Sequence, residues 1–269
     1  MTSWLGDALL GGAATLTVIF LFFFATTRGT LLWRRLRGHT ADQAAHVYSI
    51  YRNKHLIRWV DCQPLISAIL LCQYGRLVDR IVAHVLETDL SHQRLLMTAC
   101  AFGNVMPRVA QAAFRAGATE LEVVDVIAHE LTHAQHKLCG LPLTQTYRID
   151  NAVHLSVPDE SVAANLMFFL MHELPPEHQA LALREAVRVL KPGGRFYLAE
   201  FHRPHARLFR FFSSLYFKVF EPWGLALWSA QDPLEMLQAT GQVSCVREPM
   251  FGGNFQVIVA TKHGSPVCA

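Results

Sequence analysis

One short stretch constrains the fold more than any other: Leu183–Phe201, which reads LREAVRVLKPGGRFYLAEF. Leu183, Ala186, Val187 and Leu190 recur at helical spacing, with Arg184, Glu185, Arg188 and Lys191 between them. Pro192 cannot continue that helix, and Gly193 and Gly194 supply positive φ for a reversal. Phe196, Leu198 and Phe201 then follow as a strand.

The same alternation runs through the second two-thirds of the chain. Strands are expected near 95–100, 121–126, 145–149, 164–171, 194–201, 243–249 and 255–261. Helices are expected near 105–116, 129–138, 176–190, 206–220 and 232–240. Such a pattern implies an α/β fold, a mostly parallel seven-stranded sheet with helices on both faces. Upstream, from Gly38 to about Gln93, two apolar-periodic stretches read as helices, AAHVYSIYRNKHLIRWV and PLISAILLCQYGRLVDRIVAHVL.

A hydrophobic content of 52% with 17% charged residues is apolar for a soluble chain. Much of the excess lies in Ala8–Thr27, which carries no charge and would span roughly 30 Å as a helix, about one hydrocarbon thickness. Arg28, Arg34, Arg35 and Arg37 follow at once, a bias that favours a cytoplasmic location for everything downstream. The basic residues lie on the wrong side of the run for a cleaved signal peptide. A bacterial-type inner-membrane anchor is therefore expected, the alternative being an apolar helix packed on the domain or lying in the interface. The organisation expected is an anchor over 1–37, a helical segment over 38–93 and the α/β domain over 94–264. A net charge of +3, with no basic stripe interleaved with aromatics, argues against nucleic acid as a partner. Six Cys without a C-x-x-C pair or zinc spacing read as reduced thiols. Nothing in the sequence sets an oligomeric state.

The helix-turn-strand at Leu183–Phe201 closely resembles the one leading into the fifth strand of class I S-adenosyl-L-methionine (SAM) dependent methyltransferases, which have a Rossmann-like fold. That family opens with D-x-G-C-G-x-G, and the corresponding run here is Met97-Thr-Ala-Cys-Ala-Phe-Gly103. Cys100 and Gly103 match; the acid has become Met97, and two glycines have become Ala99 and Ala101. About twenty residues on, Glu122-Val-Val-Asp125 ends a strand in a carboxylate, where nucleotide-binding folds accept from ribose hydroxyls. The loop from Asp150-Asn151-Ala152 to Val157-Pro-Asp-Glu-Ser161 resembles the family's G-D-A-x-x-L-P-F-P-D-x-S-F-D segment. The family's adenine-contacting Asp falls on Asn151, with Asp150 one place earlier. An amide both donates to and accepts from an adenine edge, while a plain turn is the competing reading. By this resemblance Met97, Ala99, Ala101, Gly103, Asp125, Asp150 and Asn151 are the candidate cofactor residues.

His129-Glu-Leu-Thr-His133 matches the zinc-protease pattern H-E-x-x-H, with both imidazoles on one helix face. The resemblance places this helix directly after the second strand, on the outer face and away from the cofactor crevice, and no third ligand is apparent. Surface histidines are expected there.

In open α/β sheets ligands bind beyond the carboxyl ends of the strands. Strand four runs into Met171-His172-Glu173 and strand five into Glu200-Phe201-His202. These ends bring two imidazoles and two carboxylates towards one crevice, a set suited to Mn2+ or Mg2+, or to acid–base work. His172, Glu173 and His202 are the catalytic candidates, and Glu173, Glu200 and His202 the metal candidates; a polar rim without a metal is the alternative. The aromatic helix Leu208–Phe220 resembles a segment that covers the substrate in the ubiquinone/menaquinone C-methyltransferases, with an ordinary core helix as the other reading.

Similarity to the quinone methyltransferases runs from about residue 46 to 262 and is strongest over 150–217. The departures at Met97, Ala99 and Ala101 resemble those of the rhodoquinone biosynthesis enzymes. That resemblance implies conversion of ubiquinone to rhodoquinone, with SAM as amino donor and Mn2+ as metal. An amine attacks a quinone carbon only when unprotonated, and removing a carboxylate beside it lowers its pKa. Two alternatives stand beside this reading. One is an orthodox quinone C- or O-methyltransferase. The other is a cofactor-poor, membrane-bound scaffold.

Overall fold

The computed structural model describes Leu21 and residues 61–219, 222–228 and 231–264. The chain divides into two compact units, Met1–Asn53 and Lys54–Ala269. Leu21 is helical and exposed, and the rest of the expected anchor lies outside the described residues. Among those residues no helix is long and apolar enough to cross a membrane.

The second unit is built on a seven-stranded sheet in the order β3-β2-β1-β4-β5-β7-β6. The strands are β1 Arg94–Thr98, β2 Glu120–Asp125, β3 Thr144–Ile149, β4 Val162–Phe168, β5 Leu190–Phe201, β6 Val243–Met250 and β7 Phe255–Lys262. β1 to β5 are parallel where they pair, while β7 runs antiparallel to both β5 and β6. The helices are α1 Gln63–Ile69, α2 Tyr74–Leu86, α3 Val105–Arg115, α4 Ala128–Leu138, α5 Pro176–Arg188, α6 Arg207–Val219 and α7 Pro233–Gln238. A single turn of 3-10 helix at Met171–Glu173 and a longer 3-10 stretch at Pro222–Trp228 complete the elements.

Strand periodicity explains the two helical layers. Leu95 and Met97 of β1 join a core cluster with Tyr74, Leu77 and Ile81 of α2, Val105 and Val109 of α3, and Leu131 and Leu138 of α4. Leu96, between them, joins the opposite cluster with Leu183, Ala186 and Val187 of α5 and Leu237 of α7. A central strand covered on both faces reads as a continuous apolar run, as Leu95–Leu96–Met97 does. β6 lies at the edge, and its burial alternates accordingly.

Two local expectations change. The apolar stretch 64–86 is not one helix: Leu71 and Cys72 adopt positive φ of 51° and 59°, separating α1 from α2. The Lys191–Gly194 turn is absorbed into β5 as a bulge, since pairing jumps from Val162↔Leu190 to Ala164↔Arg195. Gly193 has φ +78°, and a Cβ on Gly194 would lie 2.8 Å from the Lys191 carbonyl, so the pair permits the bulge.

Candidate cofactor crevice and acid–base pair

β1 ends at Thr98, and the chain turns at Ala99, whose φ is +73°. An L-residue there costs about 1–2 kcal/mol relative to glycine. The Cys100 N–H then donates to Asp125 Oδ2 at 2.7 Å, and the Ile127 N–H donates to Oδ1 at 2.8 Å. Asp125 therefore ties the loop after β1 to the end of β2. Burial pushes its carboxyl up, against those backbone donors. The Asp150 N–H donates to the Asp125 carbonyl at 3.0 Å, so the third loop joins the same corner. Asp150 accepts from the backbone N–H of Asn151 and from Ser156, and Asn151 Oδ1 accepts from the Val153 N–H. Ala101 and Met97 differ from these. Ala101 lies in the loop, partly buried against the core, whereas Met97 is 1% exposed within the apolar cluster and presents no polar group to a ligand.

Gly103, φ +76°, is covered by the Tyr74 ring: a Cβ there would collide with the phenol. That hydroxyl accepts from the Val105 N–H at 2.8 Å and donates to the Phe102 carbonyl at 3.2 Å. The Gly103 N–H itself donates to Asp61.

The α4 helix corrects the expectation of surface histidines. His129 and His136 are exposed, but Glu130, His133 and Lys137 turn inward towards the loop after β1. His133 Nε2 lies 2.6 Å from Asp61 Oδ2. Lys137 Nζ reaches Asp61 Oδ2 at 3.1 Å and the Ala101 carbonyl at 2.9 Å. Glu130 is 5% exposed, and its Oε1 has no hydrogen-bond partner. Burial pushes its carboxyl up to about 8, with Asp125, Glu173 and Asp61 adding to the shift and Lys137 opposing it. None of Asp61, Glu130, His133 and Lys137 was expected at the site from sequence. The signal available was the spacing of Glu130, His133 and Lys137, which share one helix face.

At the ends of β4 and β5, His172 and Glu200 meet. The His172 Nδ1 lies 2.9 Å from Glu200 Oε1, and the His172 N–H donates to Oε2 at 3.3 Å. Oε1 also accepts from the Phe201 N–H at 2.7 Å. Gln179 holds the 3-10 turn bearing His172 by donating to the Met171 and Leu174 carbonyls. Aromatic edges surround the pair: the Phe201 ring lies 4.9 Å from the imidazole and the Phe169 ring 6.1 Å. Phe217 of α6 packs edge-on against Phe201 and Trp228. An imidazole whose Nδ1–H is held by a buried carboxylate carries its lone pair on Nε2, the arrangement of a general base.

His202 does not join that pair. Its Nδ1 donates to the Gly253 carbonyl at 2.9 Å, and Arg247 approaches its Nε2 at 3.5 Å. Burial lowers its pKa, so the ring is neutral with both nitrogens engaged. The expected metal set Glu173, Glu200 and His202 is thus divided: Glu200 is consumed by His172 and two backbone donors, while His202 faces Gly253 and Arg247. Among the described residues no group of three His, Cys, Asp or Glu side chains is placed to hold a metal ion. These residues do not fit the expected Mn2+.

The fold is shared with solved structures of low sequence identity. A putative methyltransferase from Bacillus halodurans superposes with a TM-score of 0.51 at 17% identity, over 68% of this chain and 99% of that one. The [4+2]-cyclase SpnF gives 0.52 at 18%, over 70% and 81%. Among curated proteins, a ubiquinone/menaquinone biosynthesis C-methyltransferase from Bartonella tribocorum is 35% identical over 124 residues, 46% of each chain. A demethylmenaquinone methyltransferase from Symbiobacterium thermophilum is 32% identical over 101 residues, 37% of this chain and 39% of that one. The chain thus matches less than half the length of these relatives. The family model described as ubiE/COQ5 methyltransferase matches residues 65–239, from α1 through α7, including the crevice and the His172–Glu200 pair. With its class I sheet order and this match, the chain belongs to the ubiE/COQ5 family of SAM-dependent methyltransferases.

Proposed function

We propose that this chain transfers a group from SAM to the ring of a ubiquinone- or menaquinone-type lipid at a membrane surface, with methyl transfer to a ring carbon as the leading reaction. The observation that carries the reading is the His172–Glu200 pair with the rings of Phe169 and Phe201 edge-on to the imidazole and Phe217 packed on Phe201. SAM, when bound, supplies an electrophilic methyl group. Asp125 and Asn151 would hold its ribose and adenine. The aromatic edges would take the flat ring and exclude water. His172 would accept the proton of a ring hydroxyl through Nε2, raising electron density at the carbon to be alkylated. Glu200 stabilises the resulting imidazolium, as the carboxylate of a triad does. The quinone C-methyltransferases among the relatives support this reading.

A second reading, exchange of a ring methoxy group for an amino group to yield rhodoquinone, is favoured by Met97 and Glu130. No acid stands at Met97. Burial on α4 pushes the Glu130 carboxyl up to about 8, so it favours the ammonium form of a nearby amine less than an ordinary carboxylate would. Incubating the protein with SAM and a short-chain demethylated quinol or ubiquinone, followed by mass analysis, separates the two. A methyl gain establishes the first; heavy nitrogen carried from labelled SAM into the lipid establishes the second. No change in either lipid refutes both.

The membrane setting is supported by α6. Leu208, Phe211, Phe212 and Leu215 are 52–68% exposed, and Arg207, Arg210 and Lys218 are its only charged residues. A cationic helix with exposed aromatics suits an anionic lipid surface. With the apolar run Ala8–Thr27 and its arginine flank, it supports a reading in which the catalytic unit works on the cytoplasmic side of a bacterial inner membrane.

A further inference from the structure

Asp61 occupies a site built for a carboxylate. Four contacts converge on it: the Gly103 N–H, His133 Nε2 at 2.6 Å, and Lys137 Nζ at 3.2 Å from Oδ1 and 3.1 Å from Oδ2. The side chains of Asp61 and Lys137 are 9% and 13% exposed, so these charges meet away from bulk water. Lys137 is fixed in turn by the Ala101 carbonyl. Beside this seat, one helical turn back on α4, lies the buried Glu130 with its unpartnered Oε1. The loop after β1 therefore has two anchor points. Its Cys100 N–H meets the carboxylate of Asp125, and its Gly103 N–H opens onto the cationic seat.

A buried carboxylate seat next to a buried carboxyl oxygen lacking a donor matches the two ends of an α-amino acid. We propose that the seat now filled by Asp61 takes the α-carboxylate of the cofactor's amino-acid end, and that Glu130 receives its α-amino group. This rests on the SAM reading above. Met97, buried in the core, has no part in it; the acid facing the amino group has moved from the end of β1 to α4. Asp61 is then a stand-in that holds the seat together without cofactor and yields to a ligand carrying the same group. His133 and Lys137 are binding residues, which gives the H-E-x-x-H helix a role unrelated to zinc.

Calorimetric titration with S-adenosylhomocysteine and with 5′-methylthioadenosine tests this, because the second compound keeps the nucleoside and lacks the amino acid. Lys137→Met, which retains the aliphatic stem, is expected to weaken S-adenosylhomocysteine about tenfold, the equivalent of one charge-assisted hydrogen bond. Glu130→Ala is expected to weaken it several-fold, and Asp61→Ala to tighten it by removing a competitor. Affinity for 5′-methylthioadenosine is expected to stay within about twofold of wild type in all three, which also reports that the variants are folded. Equal losses for both compounds in Lys137→Met, or weaker S-adenosylhomocysteine binding in Asp61→Ala, would overturn the proposal while leaving the SAM reading intact. Failure of the wild-type chain to bind either compound would overturn both.

Discussion

Glu200, with no exposed surface, takes the Nδ1–H of His172 across the gap between the ends of two adjacent parallel strands. The carboxylate also accepts two backbone N–H groups, so its position is set by the main chain of both connections. The imidazole tautomer follows from that geometry.

Replacing Glu200 by Gln is therefore expected to lower kcat about a hundredfold, because an amide no longer compels Nδ1 protonation and cannot balance an imidazolium. Steady-state kinetics at saturating quinone would check this. The affinity for S-adenosylhomocysteine is expected to stay unchanged.

Glu130 makes stability depend on pH. Its carboxyl is raised from 4.5 to about 8, so between those values the folded state binds more protons than the unfolded state. Stability is then lost as pH rises from about 5 to 8, by a few kcal/mol in total. Urea denaturation at pH 5, 7 and 9 is expected to show this fall in the wild type and a flatter profile in Glu130→Gln.

Ala99 holds a left-handed conformation with a φ of +73°. Ala99→Gly is expected to stabilise the fold by about 1 kcal/mol, the steric relief exceeding the added freedom of the unfolded chain. A higher urea midpoint with an unchanged slope is the signature to look for.

The exposed face of α6 bears on how a long-tailed lipid reaches the crevice. Changing Phe211 and Phe212 together to Ser is expected to raise KM about tenfold for a long-tailed quinone in vesicles, and to leave KM for a tail-free analogue unchanged. Equal effects on both substrates would place these rings in the ring-binding pocket instead.

The candidate site was only partly legible along the chain. Asp125 stands out in the chain because a carboxylate ending a strand is a local pattern, and in the fold it ties the loop after β1 to the end of β2. His172 and Glu200 were recognisable as neighbours because parallel strands deliver their carboxyl ends to one edge. His202, two residues beyond Glu200, was grouped with them for the same reason. The strand had ended, and the Gly253 carbonyl turned its ring elsewhere.

Sequence alone determined the sheet and its helices, since apolar periodicity and Gly-Pro punctuation act between near neighbours in the chain. Leu95, Leu96 and Met97 announce a strand covered on both faces whatever lies around them. Tertiary structure alone decided which polar groups became partners. Asp61 meets His133 and Lys137 more than seventy residues away, and Glu130 acquires its raised pKa only once α4 packs against the loop after β1. Burial and charge act through space and fall off over a few ångströms, so no reading along the chain contains them until the fold has closed the distance.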